Sequence, residues 1–545
     1  MLTRSLIAIT CLSAVATAAA QDLTTEITVD RTVVTELPDA EPLKSVFPSI
    51  PQLPAADFRL QPAMYNRASA FNPMAGNLKA PLYTGIDAPS GYRGYAFAGY
   101  FPAFNAEAAL GYRFVNTKAT QAGAALSYDG FSYKSKRPVD DTSLNSNTFR
   151  TQADVTHRFA AGASLAAAVD YMYAGIKSPF FDVYDKKHDI NAFGAHAAVS
   201  GGRSIAYSLG VDYSYFGLSG DISQNFERPS DKRFAVNGNV AFGIGAAGNT
   251  TLGLGIGADF LNASGYSAAA NSYEYVSGTS GIISVNPALR YAGKHVDIKI
   301  GATLNFGTNT PEKVFHIAPD IDLCWAPSGA FDAYITADGG ERFNDLRWQY
   351  EQSVFAPGAT VSTRSFTKLR SRIGFNAHIL NNFTIGAFTG YGYVKNLPVY
   401  ALVNVPGINF VNDRANSWYF GGNIGYDLGR MASLNAVARY FAKGSFESAD
   451  RAHMVLDASL KIYPIKSFSF EAAYSLRARR SYKTVSGYNG DMLGSSLLDI
   501  TANYAFSERF NAFVSLRNLL NNRCLSTPEV ESRPLHGLVG VSYLF

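Results

Sequence analysis

Charged residues stand at two-residue spacings in several apolar stretches of this sequence. In APDIDLCW, residues 318–325, Asp320 and Asp322 are separated by a single residue. On a β-strand this spacing places both carboxylates on the same face, about 7 Å apart. Such a pair suggests either acid–base catalysis by two carboxylates or the binding of a cation. No third ligand and no partner base accompanies the two residues in the sequence, so neither kind of site is predicted here.

Other motifs with catalytic meaning are absent or incomplete. The stretch GLGIGADF, residues 253–260, contains Gly-x-Gly-x-Gly, but the following helix and the distal acid of a dinucleotide site are missing. The sequence contains neither Gly-x-Ser-x-Gly nor His-Glu-x-x-His, and His316, His453 and His536 are far apart along the chain. The sequence therefore predicts a protein that is not an enzyme and that holds no metal or other cofactor.

The charges belong to a pattern that predicts long β-strands. In HVDIKIGATLNFG, residues 295–307, apolar residues alternate with a set that includes Asp297 and Lys299. MVLDASLKIYP (454–464) and SFSFEAAYSLRARR (467–480) alternate in the same way. A period of two places apolar and polar residues on opposite faces of a strand. Runs of ten residues or more match a tilted strand that spans a membrane, whereas strands of a soluble sandwich are shorter.

The segments between the predicted strands alternate in length. Short linkers include residues 160–162 and 464–466, whereas residues 264–281, 345–366 and 396–416 form long ones. Short turns at one end and long loops at the other are typical of outer-membrane barrels. We therefore predict an all-β fold, a transmembrane antiparallel outer-membrane β-barrel that covers residues 91–545. Its 22 candidate strands lie near residues 92, 105, 120, 148, 164, 190, 205, 233, 250, 283, 295, 315, 331, 367, 383, 415, 433, 453, 467, 496, 509 and 537.

In such a barrel the polar face of each strand lines the lumen. Two interpretations of its charges stay open. The charges either line a polar conduit and tune its selectivity, or they form salt bridges that stiffen the wall without binding a substrate. For most single residues we favour the salt bridge. The candidate lumen-facing charged residues are Asp297, Lys299, Asp320, Asp322, Arg439, Asp457, Lys461, Glu471, Arg477 and Arg479.

The first 90 residues have a different composition. Residues 1–20 combine Arg4, an apolar core and a small-residue site before Gln21, which is the pattern of a secretory signal peptide. Residues 21–90 are rich in proline, which excludes a helix or a central strand. We predict that they form an extended periplasmic segment. The net charge of +4 is too small to indicate a nucleic-acid partner.

The stretch GLVGVSYLF, residues 537–545, alternates without the charge or proline that usually protects an edge strand. A strand of this kind is expected to have a neighbour on both sides. We therefore predict that it closes the barrel by pairing with the first strand. One of its faces carries Val539, Val541, Tyr543 and Phe545.

The segment FVSLRNLLNNRCLSTPEVESRPLHGLVGVSYLF, residues 513–545, resembles the end of the barrels of TonB-dependent receptors. Cys524 and His536 depart from the family pattern, in which an aromatic residue and an arginine are common at these places. The resemblance implies a barrel of about 22 strands in the outer membrane of a Gram-negative bacterium and a role in solute transport. The residues that match are Asn518, Leu519, Leu520, Asn521, Pro534, Gly540 and Phe545.

The same family carries a globular plug domain that fills the barrel. Roughly 70 residues separate Ala20 from the first predicted strand, which is too short a segment for such a domain. The sequence thus predicts a relative that lacks the N-terminal plug. The stretch TTEITVDRTVV, residues 24–34, faintly resembles a TonB box, an extended segment that pairs with the energy transducer by strand addition.

Two functions agree with these features. In the first, the barrel contacts outer-membrane lipids and passes or binds an unknown small solute. In the alternative, it is a structural or assembly subunit of an outer-membrane complex, with a blocked lumen and a periplasmic partner bound through residues 22–90. The apolar stretch VKNLPVYALVNVPGINFVND, residues 394–413, is expected to enter the lumen as a constriction, to bind an extracellular ligand or partner chain, or simply to extend above the membrane as a hairpin.

Overall fold

The computed structural model describes most of the predicted barrel region. The described residues are 92–545 except 136–142, 161, 178–186, 203–204, 220–227, 245–248, 270–271, 310–313, 356–360, 380–381, 403–408, 430, 485–486, 526–527 and 529. The predicted signal peptide (1–20) and the proline-rich segment (21–90) lie outside them.

Long strands dominate this part of the chain, and one short helix, α1 (Leu346–Gln352), interrupts them. The described residues form 24 strands: β1 (Gly94–Phe101), β2 (Asn105–Asn116), β3 (Thr120–Lys134), β4 (Ser143–Arg158), β5 (Ser164–Lys177), β6 (Lys187–Gly201), β7 (Ile205–Ser219), β8 (Ser230–Ile244), β9 (Thr250–Ala269), β10 (Ser272–Ala292), β11 (Val296–Thr308), β12 (Phe315–Ser328), β13 (Phe331–Asn344), β14 (Thr363–Ile379), β15 (Phe383–Leu402), β16 (Asn409–Asp427), β17 (Ala432–Phe441), β18 (Met454–Ile465), β19 (Phe468–Ala478), β20 (Arg480–Thr484), β21 (Asn489–Met492), β22 (Ser495–Ala505), β23 (Phe510–Arg517) and β24 (His536–Leu544).

Antiparallel pairing joins 22 of these described strands into a closed ring. Each ring strand pairs with the next, β19 pairs with β22, and β24 pairs with both β23 and β1. Ala98 lies opposite Val541 in the closing ladder. β20 and β21 form a hairpin outside the ring, within the connection between β19 and β22. The predicted fold class and the predicted number of ring strands are confirmed.

The two ends of the ring differ in the length of their connections. At one end, β12 and β13 are joined by residues 329–330, and β18 and β19 by residues 466–467. At the other end, residues 442–453 and 518–535 are examples of long connections. In outer-membrane barrels the short turns are periplasmic and the long loops are extracellular. The two ends are therefore called the periplasmic and the external end below.

Two stretches that were expected to be loops are largely strand. β9 and β10 pair up to Ala269 and Ser272, and β15 and β16 extend to Leu402 and from Asn409. The strands stay paired because apolar and polar residues continue to alternate. Where the alternation is interrupted, a β-bulge shifts the register and the pairing resumes after it. In β15 the register shifts between Val394 and Leu397. The expectation of loops over residues 264–281 and 396–416 was therefore wrong for most of these residues.

The outer face of the ring is apolar and exposed. Ile300 of β11 is 57% exposed and Trp418 of β16 is 63% exposed, and both lie on the face opposite the charged residues. Aromatic rings cluster near the periplasmic end, where Tyr112 stacks on Phe545 with ring centroids 6.0 Å apart. An apolar band with aromatic girdles is the lipid-facing surface of an outer-membrane barrel. The fold thus supports a location in the outer membrane of a Gram-negative bacterium.

Among the described residues, no helix is long and apolar enough to cross a membrane.

Substitution of neighbouring residues in β8 tests which face meets lipid. Val240 is 46% exposed on the outer face, and Asn239 is exposed on the inner face. We expect Val240→Lys to lower the free energy of unfolding by about 2–4 kcal/mol, because a lysine on the lipid face loses its hydration. Asn239→Lys is the matched control and should have almost no effect. Urea unfolding in lipid vesicles measures both, and equal losses would contradict the assignment of the faces.

Candidate functional site

The periplasmic half of the lumen is lined by ion pairs between neighbouring strands. Asp297 pairs with Arg290 at 2.6 Å, and Lys299 pairs with Asp320 at 2.7 Å. Asp322 lies directly opposite Lys299 in the ladder between β11 and β12. All five side chains are on the inner face, since the residues between them, such as the exposed Ile300, point outward. The structure therefore brings four of the ten candidate residues into one group.

Similar pairs recur around the wall. Lys461 and Glu471 lie 3.3 Å apart on β18 and β19. Three further pairs on the inner face are formed by residues outside the predicted set: His196 with Asp212, Asp332 with His378, and Asp338 with Arg370. In each pair the two residues lie on adjacent strands. The wall consequently carries charges of both signs that are joined in ion pairs.

The pair of Lys299 and Asp320 is suited to a stability test because water reaches both side chains. Their exposed fractions are 38% and 26%. We expect Lys299→Ala to lower the free energy of unfolding by less than about 1 kcal/mol, since water screens such a pair. Urea unfolding measures this change, with Arg290→Ala as a second case of the same kind. A loss above about 2 kcal/mol would mean that the wall depends on its ion pairs.

The remaining candidates lie closer to the external end. Arg439 of β17 pairs at 2.8 Å with Glu447 of the loop 442–453, and both side chains are largely buried. Asp457 lies opposite Val437 and Ser475 on the neighbouring strands. Both candidates therefore lie where the wall meets a loop that folds inward.

The two candidate lumen-facing arginines Arg477 and Arg479 differ in their position and burial. Arg477 is the penultimate residue of β19 and is half-buried, whereas Arg479 is exposed. The backbone of Arg479 has φ +51°, which ends the alternation of β19 and turns the next side chain inward. The inward residue is therefore Arg480, and the expectation that Arg479 faces the lumen was wrong.

Arg480 is a buried cation of the external half that sequence alternation missed. It is 2% exposed, its Nε lies 2.7 Å from Asp450, and its guanidinium also donates to the carbonyl oxygen of Leu525. Burial alone would raise the pKa of Asp450, but the charges of Arg480 and Arg477 outweigh it and lower the pKa to about 2. Arg480 thus joins two external connections, 442–453 and 518–535.

The external half of the lumen contains an apolar cluster, called the mouth core below. Strands β3–β7 contribute inner-face residues near their external ends, β15 and β16 contribute Tyr400 and Phe410, and the external connections contribute the others. The buried members are Phe131, Tyr133, Leu144, Met172, Ala174, Ile176, Ile190, Ala192, Phe216, Leu218, Leu346, Tyr350, Val354, Phe355, Tyr400, Phe410, Ala449, Met492, Leu525 and Val530. Side chains of the loops therefore pack inside the barrel instead of extending into solvent.

Residues 345–355, which comprise the cap of α1, α1 itself and the turn after it, are called the strap below. Asp345 caps the helix by accepting a hydrogen bond from the Trp348 N–H at 2.8 Å. On the inner wall, Asp231 of β8 accepts a hydrogen bond from the Leu346 N–H at 2.6 Å. Arg233 of β8 lies 3.3 Å from Asp345. The strap is thus attached to the wall by charged groups at its first residues.

The loop 442–453 is fixed by a ring that rests on glycine. Phe446 is 2% exposed and packs on Tyr419 and Phe441, with ring centroids 5.7 Å away in each case. A Cβ atom at Gly392 would lie 2.1 Å from the Phe446 ring. Only a residue without a side chain leaves room for the ring at this place.

The loop 518–535 is held by buried arginines. Arg517 pairs with Glu107 at 2.7 Å, and Arg533 lies over the Phe131 ring at 4.1 Å from its centroid. The Asn518 side chain, one of the residues that carried the family resemblance, donates to the carbonyl oxygen of Arg533 at 2.6 Å. Together these contacts turn the loop towards β2 and β3.

Comparison with solved structures gives many similar barrels. The ferric enterobactin receptor of Pseudomonas aeruginosa is 10% identical, with a TM-score of 0.61 over 83% of this chain and 80% of the receptor. The siderophore receptor PirA of Acinetobacter baumannii is 9% identical, with a TM-score of 0.61 over 84% and 81%. The ferripyoverdine receptor of the Pseudomonas aeruginosa outer membrane is 11% identical, with a TM-score of 0.60 over 84% and 72%. The fold is that of siderophore-receptor barrels.

No protein-family model and no curated protein sequence matches the chain. At about 10% identity the structural likeness concerns the fold only, so the resemblance seen in residues 513–545 is supported at the level of the barrel.

The hairpin of β15 and β16 contains the described residues of the stretch 394–413, which exclude residues 403–408. It extends from the external end as a hairpin, and its apolar residues Leu397 and Val399 are buried. Tyr400 Oη donates to the carbonyl oxygen of Gln352 at 3.2 Å. The hairpin thus contacts the strap.

The paired carboxylates Asp320 and Asp322 lie among the ion pairs of the wall. Asp320 is engaged by Lys299, and Asp322 lies opposite the same lysine. In the described part of the chain, no group of three histidine, cysteine, aspartate or glutamate residues could hold a metal ion. The site is therefore best described as a lumen with a charged, partly hollow periplasmic half and a packed external half.

Proposed function

We propose that this chain is an outer-membrane barrel that binds small hydrophilic solutes or passes them across the outer membrane. The observation that carries the proposal is that paired charges of both signs line the wall in the periplasmic half of the lumen. Asn237 and Asn239 are exposed on the inner face of β8, so the lumen is hollow beside them. A hollow lumen with charged walls favours the entry of hydrated solutes over that of apolar ones.

The similar structures support a role in solute uptake. Three of these proteins are described as the ferric enterobactin receptor, the ferripyoverdine receptor and the siderophore receptor PirA. We infer that this chain takes a small solute as they do, and that residues 21–90 form a short periplasmic segment in place of a plug domain. The lumen-facing charges, among them Asp297, Lys299, Asp320 and Asp322, then decide which solutes enter.

Single-channel conductance in planar bilayers tests the proposal. The mature protein is compared with a variant that lacks residues 22–90. Large, steady steps from the mature protein would support passive passage. Conductance from the deletion variant alone would support transport that is blocked by the N-terminal segment until a partner withdraws it. If neither protein conducts or binds a solute, the proposal fails.

A structural or assembly subunit is the second candidate. It is favoured by the mouth core, because apolar packing such as that of Leu346 and Phe355 fills part of the external lumen. In this case residues 22–90 are the contact for a periplasmic partner. Co-purification of a partner with the full chain, and its loss after deletion of residues 22–90, would support this function.

A further inference from the structure

The strap lies well inside the barrel. Tyr350 Oη is 3.3 Å from Thr148 Oγ1, and Thr148 is five residues from Ser143 at the external end of β4. At the rise of a strand this is roughly 17 Å along β4. The Arg347 guanidinium is 3.5 Å from Asp170, which lies near the middle of β5. The helix therefore occupies the lumen instead of lying above it.

The strap also crosses much of the lumen. It follows β13, and its residues contact inner-face residues of β4, β5, β7 and β8: Thr148, Asp170, Phe216, Asp231 and Arg233. β4 is nine strands from β13 in a ring of 22, and eleven strands would be the opposite wall. A segment that starts at β13 and reaches with Tyr350 a strand near the opposite wall divides the external half of the lumen.

The attachment to β8 is polar. Asp231 is 3% exposed, and its Oδ2 accepts hydrogen bonds from the Leu346 N–H at 2.6 Å and from the Ser362 hydroxyl at 2.5 Å. Arg233 is held by Asp259 on β9 at 2.6 Å and extends to Asp345. We call Asp231, Arg233 and Asp345 the latch. Its contacts are few and directional, unlike the continuous ladders that join the strands of the wall.

The hairpin that carries the strap has a bend below it. The ladder between β13 and β14 shifts register between Asp338 and Gly340, and the ladder between β14 and β15 shifts between Thr367 and Leu369. Gly340 has φ +140°, a conformation that favours glycine. A helix of seven residues is not stable by itself. The strap therefore depends on its contacts with the wall, and the backbone of the hairpin is irregular at Gly340.

We propose that the strap is a gate that closes the external half of the lumen and that the latch holds it closed. Passage of solute from the external side requires the latch bonds to break and the β13–β14 hairpin to turn about Gly340. This inference names the moving part of the proposed transport function. It concerns the barrier itself, so its test needs no solute.

The chain carries a reporter below the strap. Cys324 is on the inner face of β12 near the periplasmic end, four residues from Ser328. In a Cys524→Ser background, a membrane-impermeant maleimide is added to intact cells, and labelling of Cys324 is followed with time. We expect slow labelling with the latch intact. The double substitution Asp231→Ala and Asp345→Ala should raise the rate about tenfold or more, since it removes the charged hydrogen bonds that hold the strap to β8.

Two controls separate the gate from a general loosening of the barrel. Glu508→Ala removes an exposed carboxylate of the periplasmic turn between β22 and β23, away from both the strap and β12, and it should leave the labelling rate unchanged. Tyr488→Cys, on an exposed external residue, shows that the reagent reaches the cell surface. Retained heat-modifiable migration in electrophoresis shows that the barrel is folded.

A second variant tests the inference if the latch variant does not fold. It replaces residues 347–354 with a short Gly–Ser linker and leaves the wall unchanged. Fast labelling of Cys324 in this variant supports the gate. Protection that persists without the strap, or fast labelling of the unsubstituted chain, overturns it. Neither result depends on conductance or on a solute, so failure of the gate can be told from failure of the transport proposal.

Discussion

Replacement of Arg480 by alanine is expected to lower the free energy of unfolding of the mouth core by about 3–5 kcal/mol. The substitution leaves the buried carboxylate of Asp450 without its cation, and an unpaired buried charge is far more costly than a missing surface pair. The carbonyl oxygen of Leu525 loses its donor as well. Protease cleavage within the external connections, followed on a barrel that stays folded, measures the change.

The neighbouring arginine provides the control. Arg479→Ala removes an exposed charge and should change stability by no more than about 0.5 kcal/mol. The double substitution Arg480→Met and Asp450→Leu should recover most of the loss, because it replaces both charges by apolar groups of similar size. If Arg479→Ala were as harmful as Arg480→Ala, the assignment of the inward residue would be wrong.

The same pair predicts the acid response of the loops. The folded-state pKa of Asp450, about 2, lies below its ordinary value of 3.8. The stabilisation is therefore complete above about pH 4 and is lost as the pH falls towards 2. Protection of the external connections against an acid-active protease should stay constant from neutral pH to about pH 5 and decrease below about pH 4. In Arg480→Met with Asp450→Leu this decrease should be absent.

Phe446→Ala is expected to have the second large effect, a loss of about 3–5 kcal/mol, because it leaves a cavity among buried rings. Gly392→Ala approaches the same contact from the other side. Its Cβ would overlap the Phe446 ring and should cost about 1–3 kcal/mol. Gly425→Ala is the matched control, since a Cβ there meets its nearest atom at 3.6 Å. Chemical unfolding in detergent measures all three, and a neutral Phe446→Ala would contradict the packing.

Strand content and strand number were predictable because alternation is enforced residue by residue. A strand with lipid on one side and a polar lumen on the other must place apolar and polar residues in turn. MVLDASLKIYP and SFSFEAAYSLRARR show this without interruption, and β18 and β19 pair accordingly. The ion pairs of Lys299 and Lys461 join residues that the same pattern had assigned to one face.

The external half was not predictable in the same way. Its residues are buried by contacts between distant parts of the chain, so no local period marks them. The positive φ of Arg479 interrupts the alternation, so that Arg480 and not Arg479 is the residue that points inward. The helix of the strap had a weak local signal, since Asp345 precedes LRWQYEQ as an N-cap residue would. Its place inside the lumen follows from Asp231 and Arg233, more than 100 residues away, and could not be deduced from that signal.

The short ladder between β1 and β24 has a consequence for the order of folding. It joins six residue pairs, from Tyr95 with Leu544 to Tyr100 with Val539, whereas β9 and β10 share twenty. Partners in the hairpins are close in sequence, but this ladder connects residues roughly 450 positions apart, and the entropy of closing so long a loop must be overcome before any bond forms. Hairpins should therefore assemble early and ring closure last. Until then both free edges can pair with other chains, so assembly of this barrel is most vulnerable to aggregation immediately before closure.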